Sequence, residues 1–81
     1  MRVIFTDPFS DRYRKLSGDL KKKFEKQVRF LLKNIRHPSL RAKKYDEARD
    51  IWQARVDDDY RFYFKIERDI YYILSIIKHP K

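Results

Sequence analysis

Apolar residues in this chain change their spacing partway along, from a helical period to strict alternation. Residues 2–6, Arg-Val-Ile-Phe-Thr, read as an opening strand. Asp7-Pro8 then supplies a helix N-cap followed by proline at the first helical position. Phe9, Tyr13 and Leu16 sit at i, i+4 and i+7, which gives a short helix ending before Ser17-Gly18. A second helix is expected from Asp19, with Leu20, Phe24, Val28, Leu31 and Ile35 on its apolar stripe and Leu32 widening it. His37-Pro38 stops that helix, because proline disfavours α geometry in the residue before it. The tight turn between the two makes them a hairpin. Residues 37–49 form a polar, basic connector without a clear period, and loops of that length in small domains are often functional.

Three alternating segments complete the chain: residues 50–56, 60–66 and 70–78. Asp57-Asp58-Asp59 is a three-residue hairpin loop, aspartate being tolerant of the left-handed conformation such a loop uses. Glu67-Arg68-Asp69 makes the next turn. The expected order is β-α-α-β-β-β, an α+β fold with a helical hairpin on one face of a small, mostly antiparallel twisted sheet. At 81 residues there is room for one domain, taken here as 1–81.

Composition narrows the function classes. Apolar residues are 42% of the chain and charged residues 41%, with 16% aromatics, one Gly and three Pro, which excludes disorder and low-complexity architecture. No apolar run reaches the ~20 residues of a membrane span, and residues 1–5 are too short for a signal-peptide core, so the expected location is the cytoplasm. Without cysteine there is no disulfide or thiolate metal site, and two histidines do not make a multi-histidine zinc site, so neither metal nor cofactor is expected.

Net charge is +9, and it is concentrated. From Arg12 to Lys44 there are 13 basic residues and two acids, whereas the rest of the chain holds 8 basic and 10 acidic residues. A basic segment within an otherwise balanced domain suggests a polyanion, either nucleic acid or an acidic protein segment.

Alternation divides the sheet into two faces. Trp52, Ala54, Val56, Tyr60, Phe62, Phe64, Ile66, Tyr72, Leu74 and Ile76 are expected beneath the helices. Gln53, Arg55, Arg61, Tyr63, Lys65, Tyr71, Ser75 and His79 are expected on the open face. If the Asp57–Asp59 loop pairs Val56 with Tyr60, Arg55 lies across from Arg61. Like charges facing each other on a ladder are destabilising unless an anion or a nearby acid sits with them. Tyrosines among arginines suit RNA, with rings stacking on unpaired bases and guanidinium groups gripping phosphates. His79 is the one group on that face expected to titrate near neutrality, so it is the candidate proton donor.

Three stretches, His37-Pro38-Ser39-Leu40-Arg41-Ala42-Lys43-Lys44, Trp52-Gln53-Ala54-Arg55-Val56 and Asp59-Tyr60-Arg61-Phe62, follow an amphipathic helical hairpin in this order. Together they resemble the RelE/ParE superfamily of toxins from bacterial and archaeal toxin–antitoxin systems, over essentially the whole chain. The resemblance implies that Arg55 lies near the scissile phosphate and that Arg61 holds and stabilises it. It places His79 where YoeB-like members have a catalytic histidine. Arg41, Lys43 and Lys44 fall in a connector that supplies further basic or acid–base groups, and Gln53 stands where RelE has lysine. With Tyr63, Lys65 and Tyr71 these make the expected RNA-binding set. Lys21, Lys22, Lys23, Lys26, Arg29 and Lys33 on the second helix are the expected contacts to ribosomal RNA. No acid matches the general base of YoeB-like enzymes, and the family's late aromatic has no counterpart, since Pro80 and Lys81 follow His79.

The implied activity is ribosome-dependent cleavage of messenger RNA (mRNA) by attack of a 2′-hydroxyl on the adjacent phosphate, without metal. The implied partners are an acidic antitoxin, the ribosome and mRNA. Two alternatives share the fold. One is a ParE-like inhibitor of DNA gyrase, and the other is a catalytically decayed toxin that only binds antitoxin or RNA.

Overall fold

The computed structural model describes residues 1–79; Pro80 and Lys81, the positions bearing on the late aromatic, lie outside the described residues. The chain runs β1 (Arg2–Phe5), α1 (Asp7–Tyr13), α2 (Gly18–Lys33), β2 (Lys43–Asp46), β3 (Ile51–Arg55), β4 (Tyr60–Glu67) and β5 (Ile70–Lys78). The five strands lie in the order β1-β5-β4-β3-β2. β1 runs parallel to β5, and every other neighbouring pair is antiparallel. No helix among the described residues is long and apolar enough to cross a membrane.

Both helices begin one residue earlier than their spacing predicts. Thr6, not Asp7, occupies the N-cap position of α1, and Asp7-Pro8 form its first turn. Pairing with β5 holds Thr6 extended: its hydroxyl donates to the Ile73 carbonyl (2.7 Å) and its amide donates to the same oxygen (3.2 Å). At α2 the Ser17 hydroxyl accepts from the Leu20 amide (3.2 Å), satisfying one of the free donors of the first turn.

Most of the apolar stripe packs as its spacing requires, but Leu32, expected to widen it, is 40% exposed, and α2 ends at Lys33, before Ile35. Leu20, Phe24, Val28 and Leu31 are buried beside Phe9 of α1. Phe24 meets Phe62 of the sheet edge-on, with ring centroids 5.4 Å apart. Fully burying one such ring stabilises the fold by roughly 1.5–3 kcal/mol.

The 37–49 connector contains an edge strand, β2, which its sequence does not announce. Lys43–Asp46 has no apolar alternation. Pairing with β3 supplies its backbone partners, and its lysines suit a sheet edge, where charge discourages further strand addition.

The Asp57–Asp59 loop gives the expected register, with Arg55 directly opposite Arg61. It closes by a different device. Among the described residues positive φ occurs at Arg41, Asp50 and Arg68, not in this loop. Instead the Asp57 carboxylate accepts from the amides of Asp59 (2.9 Å) and Tyr60 (2.8 Å), mimicking a backbone turn.

A register shift between β4 and β5 changes the face assignment of β5. Tyr63 pairs with Ser75, but Phe64 pairs with Ile73, so Leu74 is the extra residue of a bulge. N-terminal to it, Tyr71 and Ile73 point into the core, and Tyr72 pairs with Lys65. Tyr71 is 5% exposed, its ring edge-on to Phe64 at 5.7 Å. It is a core residue and does not belong to the RNA-binding set, and the expected core positions Tyr72 and Leu74 are only partly buried.

Candidate nucleic-acid interface and active site

The hairpin of β3 and β4 sets two arginines side by side at its closed end. Each is held differently. Arg61 donates from Nη1 to the carbonyls of Asp57 (2.7 Å) and Tyr60 (3.0 Å), so the main chain of the loop orients its guanidinium. Arg55 donates from Nη2 to the carboxylate of Asp58, an acid on the loop itself that is 83% exposed. The like-charge pair is thus eased by a nearby carboxylate.

The main chain of Arg55 is anchored from behind. Its amide donates to the Leu40 carbonyl (2.7 Å), and its carbonyl accepts from Nε2 of Gln27 (2.7 Å). Gln27, 4% exposed, also donates to the Ser39 carbonyl (3.0 Å) and accepts from the Ser39 hydroxyl (2.8 Å). A buried amide with every partner in place ties α2, the connector and β3 together. Sequence reasoning passed over Gln27. Its signal was its place in the stripe, three residues after Phe24 and four before Leu31, where a polar side chain must be buried and bonded.

In front of the arginines lies a cavity of about 180 Å³ lined by Arg41, Lys43, Gln53, Ala54, Arg55 and Arg61. Four cationic side chains converge there, and no carboxylate lines it. Lys43 enters because it pairs with Gln53 and so shares its face. Gln53 is buried and donates from Nε2 to the Tyr63 hydroxyl (3.0 Å). Tyr45, which was not singled out in the sequence, packs edge-on against Tyr63 at 4.9 Å and is largely exposed. Tyr45, Tyr63, Leu74, Ser75 and Ile77 also line a more apolar hollow of about 390 Å³ on the open face.

Lys44 is not part of this constellation. Adjacent strand residues point to opposite faces, and Lys44 pairs with Trp52 on the helix side. Its ammonium binds the Asp50 carboxylate and lies 5.1 Å from the centre of the Trp52 ring. The hydrogen bond it donates to Asp50 raises its pKa, and Lys44 does not line the cavity. Lys65 lies on the open face beyond Tyr63, opposite Tyr72 and outside the cavity.

His79 follows the last residue of β5, and its amide donates to the Asp59 carbonyl (2.6 Å), which ties it to the arginine-bearing loop. It is exposed and does not line the cavity.

The basic residues of α2 occupy the helix layer, apart from the cavity. Lys21 lies over the Tyr13 ring (5.4 Å) and Lys26 over Phe30 (5.8 Å). Lys23 reaches the Asp57 carboxylate (3.4 Å). Lys22, Arg29 and Lys33 are exposed. Burial pushes the Asp57 carboxyl up, but the Asp59 and Tyr60 amides and the Lys23 ammonium outweigh it and leave Asp57 below its ordinary pKa. Among the described residues no cluster of three or more His, Asp or Glu is arranged to hold a metal ion.

No family model and no curated protein matches the sequence. Solved structures do. A YoeB/ParE toxin from Agrobacterium tumefaciens superposes with a TM-score of 0.82 at 13% identity, covering 99% of this chain and all of that one. The archaeal RelE of the RelE-RelB complex from Pyrococcus horikoshii OT3 gives 0.78 at 17% identity, over 95% and 92% of the two chains. YafQ from E. coli gives 0.77 at 12% identity, over 95% and 91%. The chain therefore has the RelE/ParE toxin fold, an α+β arrangement of two helices on a five-stranded sheet.

Proposed function

We propose that this chain is the toxin of a toxin–antitoxin pair and cleaves mRNA bound to the ribosome. The observation that carries this reading is the cavity in which Arg41, Lys43, Arg55 and Arg61 converge at the closed end of one hairpin. A scissile phosphate seated there meets one guanidinium fixed by main-chain carbonyls and a second that exchanges Asp58 for the phosphate. Oriented cations at the site where charge develops are the largest contribution such a site makes.

In the reaction the 2′-oxygen bonds to phosphorus as the bond from phosphorus to the 5′-oxygen breaks, leaving a 2′,3′-cyclic phosphate and a free 5′-hydroxyl. Lys43, the connector lysine in the cavity, stabilises the attacking oxygen while its proton passes to solvent. His79, tied to the loop, gives the 5′-oxygen its proton. The Tyr45–Tyr63 pair offers a face for the neighbouring base. The ribosome contributes alignment of the messenger for in-line attack, and the exposed Lys22, Arg29 and Lys33 suit contacts to ribosomal RNA. The site of action is the cytoplasm.

The solved neighbours include complexes with RelB and YefM antitoxins. A cognate antitoxin here would be acidic. It finds an apolar groove of about 580 Å³ lined by Phe5, Phe9, Tyr13 and Phe24, with Arg14 and Arg29 among its other walls.

The test is primer extension on a defined messenger in a reconstituted translation reaction. The wild-type protein is expected to produce cuts only when ribosomes translate, and Arg61→Ala to reduce the cleavage rate by about 10²–10³-fold. An intact messenger overturns the nuclease reading, and inhibited supercoiling by gyrase in a parallel assay would replace it.

A further inference from the structure

Arg41 stands between two cavities. It lines the 180 Å³ phosphate pocket and also a second cavity of about 330 Å³ formed by Ile35, Arg36, His37, Pro38, Arg41, Ala42 and Trp52. Its backbone is left-handed, with φ of 47°, a conformation that is strained for a non-glycine residue. The surroundings impose it. Ser39 is clamped by Gln27, and Leu40 is fully buried with its carbonyl bonded to Arg55. The chain must then turn sharply to enter β2 at Lys43.

The second cavity has the chemistry of a nucleotide site. Ile35, Ala42 and Trp52 give it apolar walls, and Arg36 and Arg41 bring two positive charges. The Trp52 ring is already occupied by Lys44 and Phe64, so it serves as a wall and not as a stacking platform. His37 is held rigid: its ring stacks on Phe30 at 3.8 Å, and its Nδ1 accepts from the Ser39 amide (3.2 Å). In the neutral ring that leaves the proton on Nε2, as a donor. No carboxylate lines either cavity. The volume is at the lower end of the 300–1,000 Å³ usual for ligand pockets, enough for one nucleotide and too small for a folded partner.

Resting on the reading above, we propose that the RNA strand whose phosphate sits between Arg55 and Arg61 continues over Arg41 and places an adjoining nucleotide in the Arg36–His37–Trp52 cavity. Two cationic pockets sharing one arginine match a polymer that repeats its anion at short intervals. An acidic protein segment does not impose that repeat. Arg36 then contributes to grip on the messenger and takes no part in the chemistry.

The experiment uses 2′-O-methyl oligoribonucleotides, which lack the attacking hydroxyl, and reads binding by fluorescence anisotropy. A dinucleotide spans the phosphate pocket alone, whereas six-nucleotide strands extended on either side of it can also reach the second cavity. Wild-type protein is expected to bind one of the longer strands more tightly than the dinucleotide. Arg36→Ala should lose about tenfold on that strand and nothing on the dinucleotide, with the salt slope falling by about 0.7 for the longer strand. Arg36→Lys should restore most of the loss. Arg36 is exposed and on the surface, so these variants are expected to fold as the wild type does. Equal losses at both lengths, no loss at either, or no gain with length in the wild type overturns the inference. Dinucleotide binding that ignores Arg55→Ala and Arg61→Ala instead sinks the phosphate-pocket reading on which it rests.

Discussion

Arg55 and Arg61 are equivalent in the sequence, as paired basic residues of one hairpin, and unequal in the structure. Arg61 is oriented by carbonyls that cannot leave, whereas Arg55 is held by the mobile end of an exposed aspartate. The Asp58 carboxylate therefore competes with phosphate for Arg55. Since exposed ion pairs are worth at most about 1 kcal/mol, Asp58→Asn should tighten binding of an uncleavable oligoribonucleotide by up to about fivefold. Weaker binding, or loss of cleavage, would mean that Asp58 takes part in the chemistry. Asp57 carries a different consequence. Its pKa is depressed in the folded chain, so its contribution to stability is complete above the ordinary value of 3.8 and is lost as pH falls through the folded value. Urea midpoints measured from pH 6 to pH 2 should fall more steeply for wild type than for Asp57→Asn, which keeps the turn's acceptor oxygen but cannot titrate. Parallel curves would remove Asp57 from the account. The arginine pair was legible because a three-residue loop fixes register. Lys43 and Lys44 part company because two successive residues face opposite ways once a strand forms, and nothing in their own pattern announces that strand.

At the level of elements, α2 acts on the site through one buried amide. Replacing Gln27 with leucine leaves the carbonyls of Ser39 and Arg55 without their donor. Each buried group left unsatisfied costs about 1–3 kcal/mol. Gln27→Leu is expected to lose about 2–4 kcal/mol by urea denaturation and to slow cleavage by loosening the end of β3. An unchanged midpoint would show that the carbonyls find other donors. The helices were readable because their stripe has one period throughout, and even Gln27 falls on it. β5 was not. Ile70 to Leu74 are all apolar, so alternation gives no phase, and the bulge at Leu74 decides which tyrosine enters the core. Tyr71 went inward and Tyr72 outward for that reason. Tyr45 escaped notice because its strand has no pattern of its own and exists by pairing with β3.

Over the whole molecule, the +9 charge is divided between two surfaces. One is the helix layer, where several lysines lie on aromatic rings or reach an acid. The other is the connector and hairpin, where the cations converge on a cavity. The connection between the chain's two ends governs when that second surface becomes complete. Residues 2–5 pair in parallel with residues 70–73, and Thr6 bonds to Ile73 across a separation of 67 residues. The hairpin that carries both arginines closes over three residues. Local contacts form early and distant ones late, since the loop-closure entropy of the latter must be overcome first. The arginine hairpin can therefore form before β5, which flanks β4 along its whole length, docks and brings Ile73 and Ile76 to the core. β1 then pairs with β5 across the long separation between them. The arginine pair gains its supporting sheet only once β5 has docked beside β4, so the site is completed among the late steps of folding.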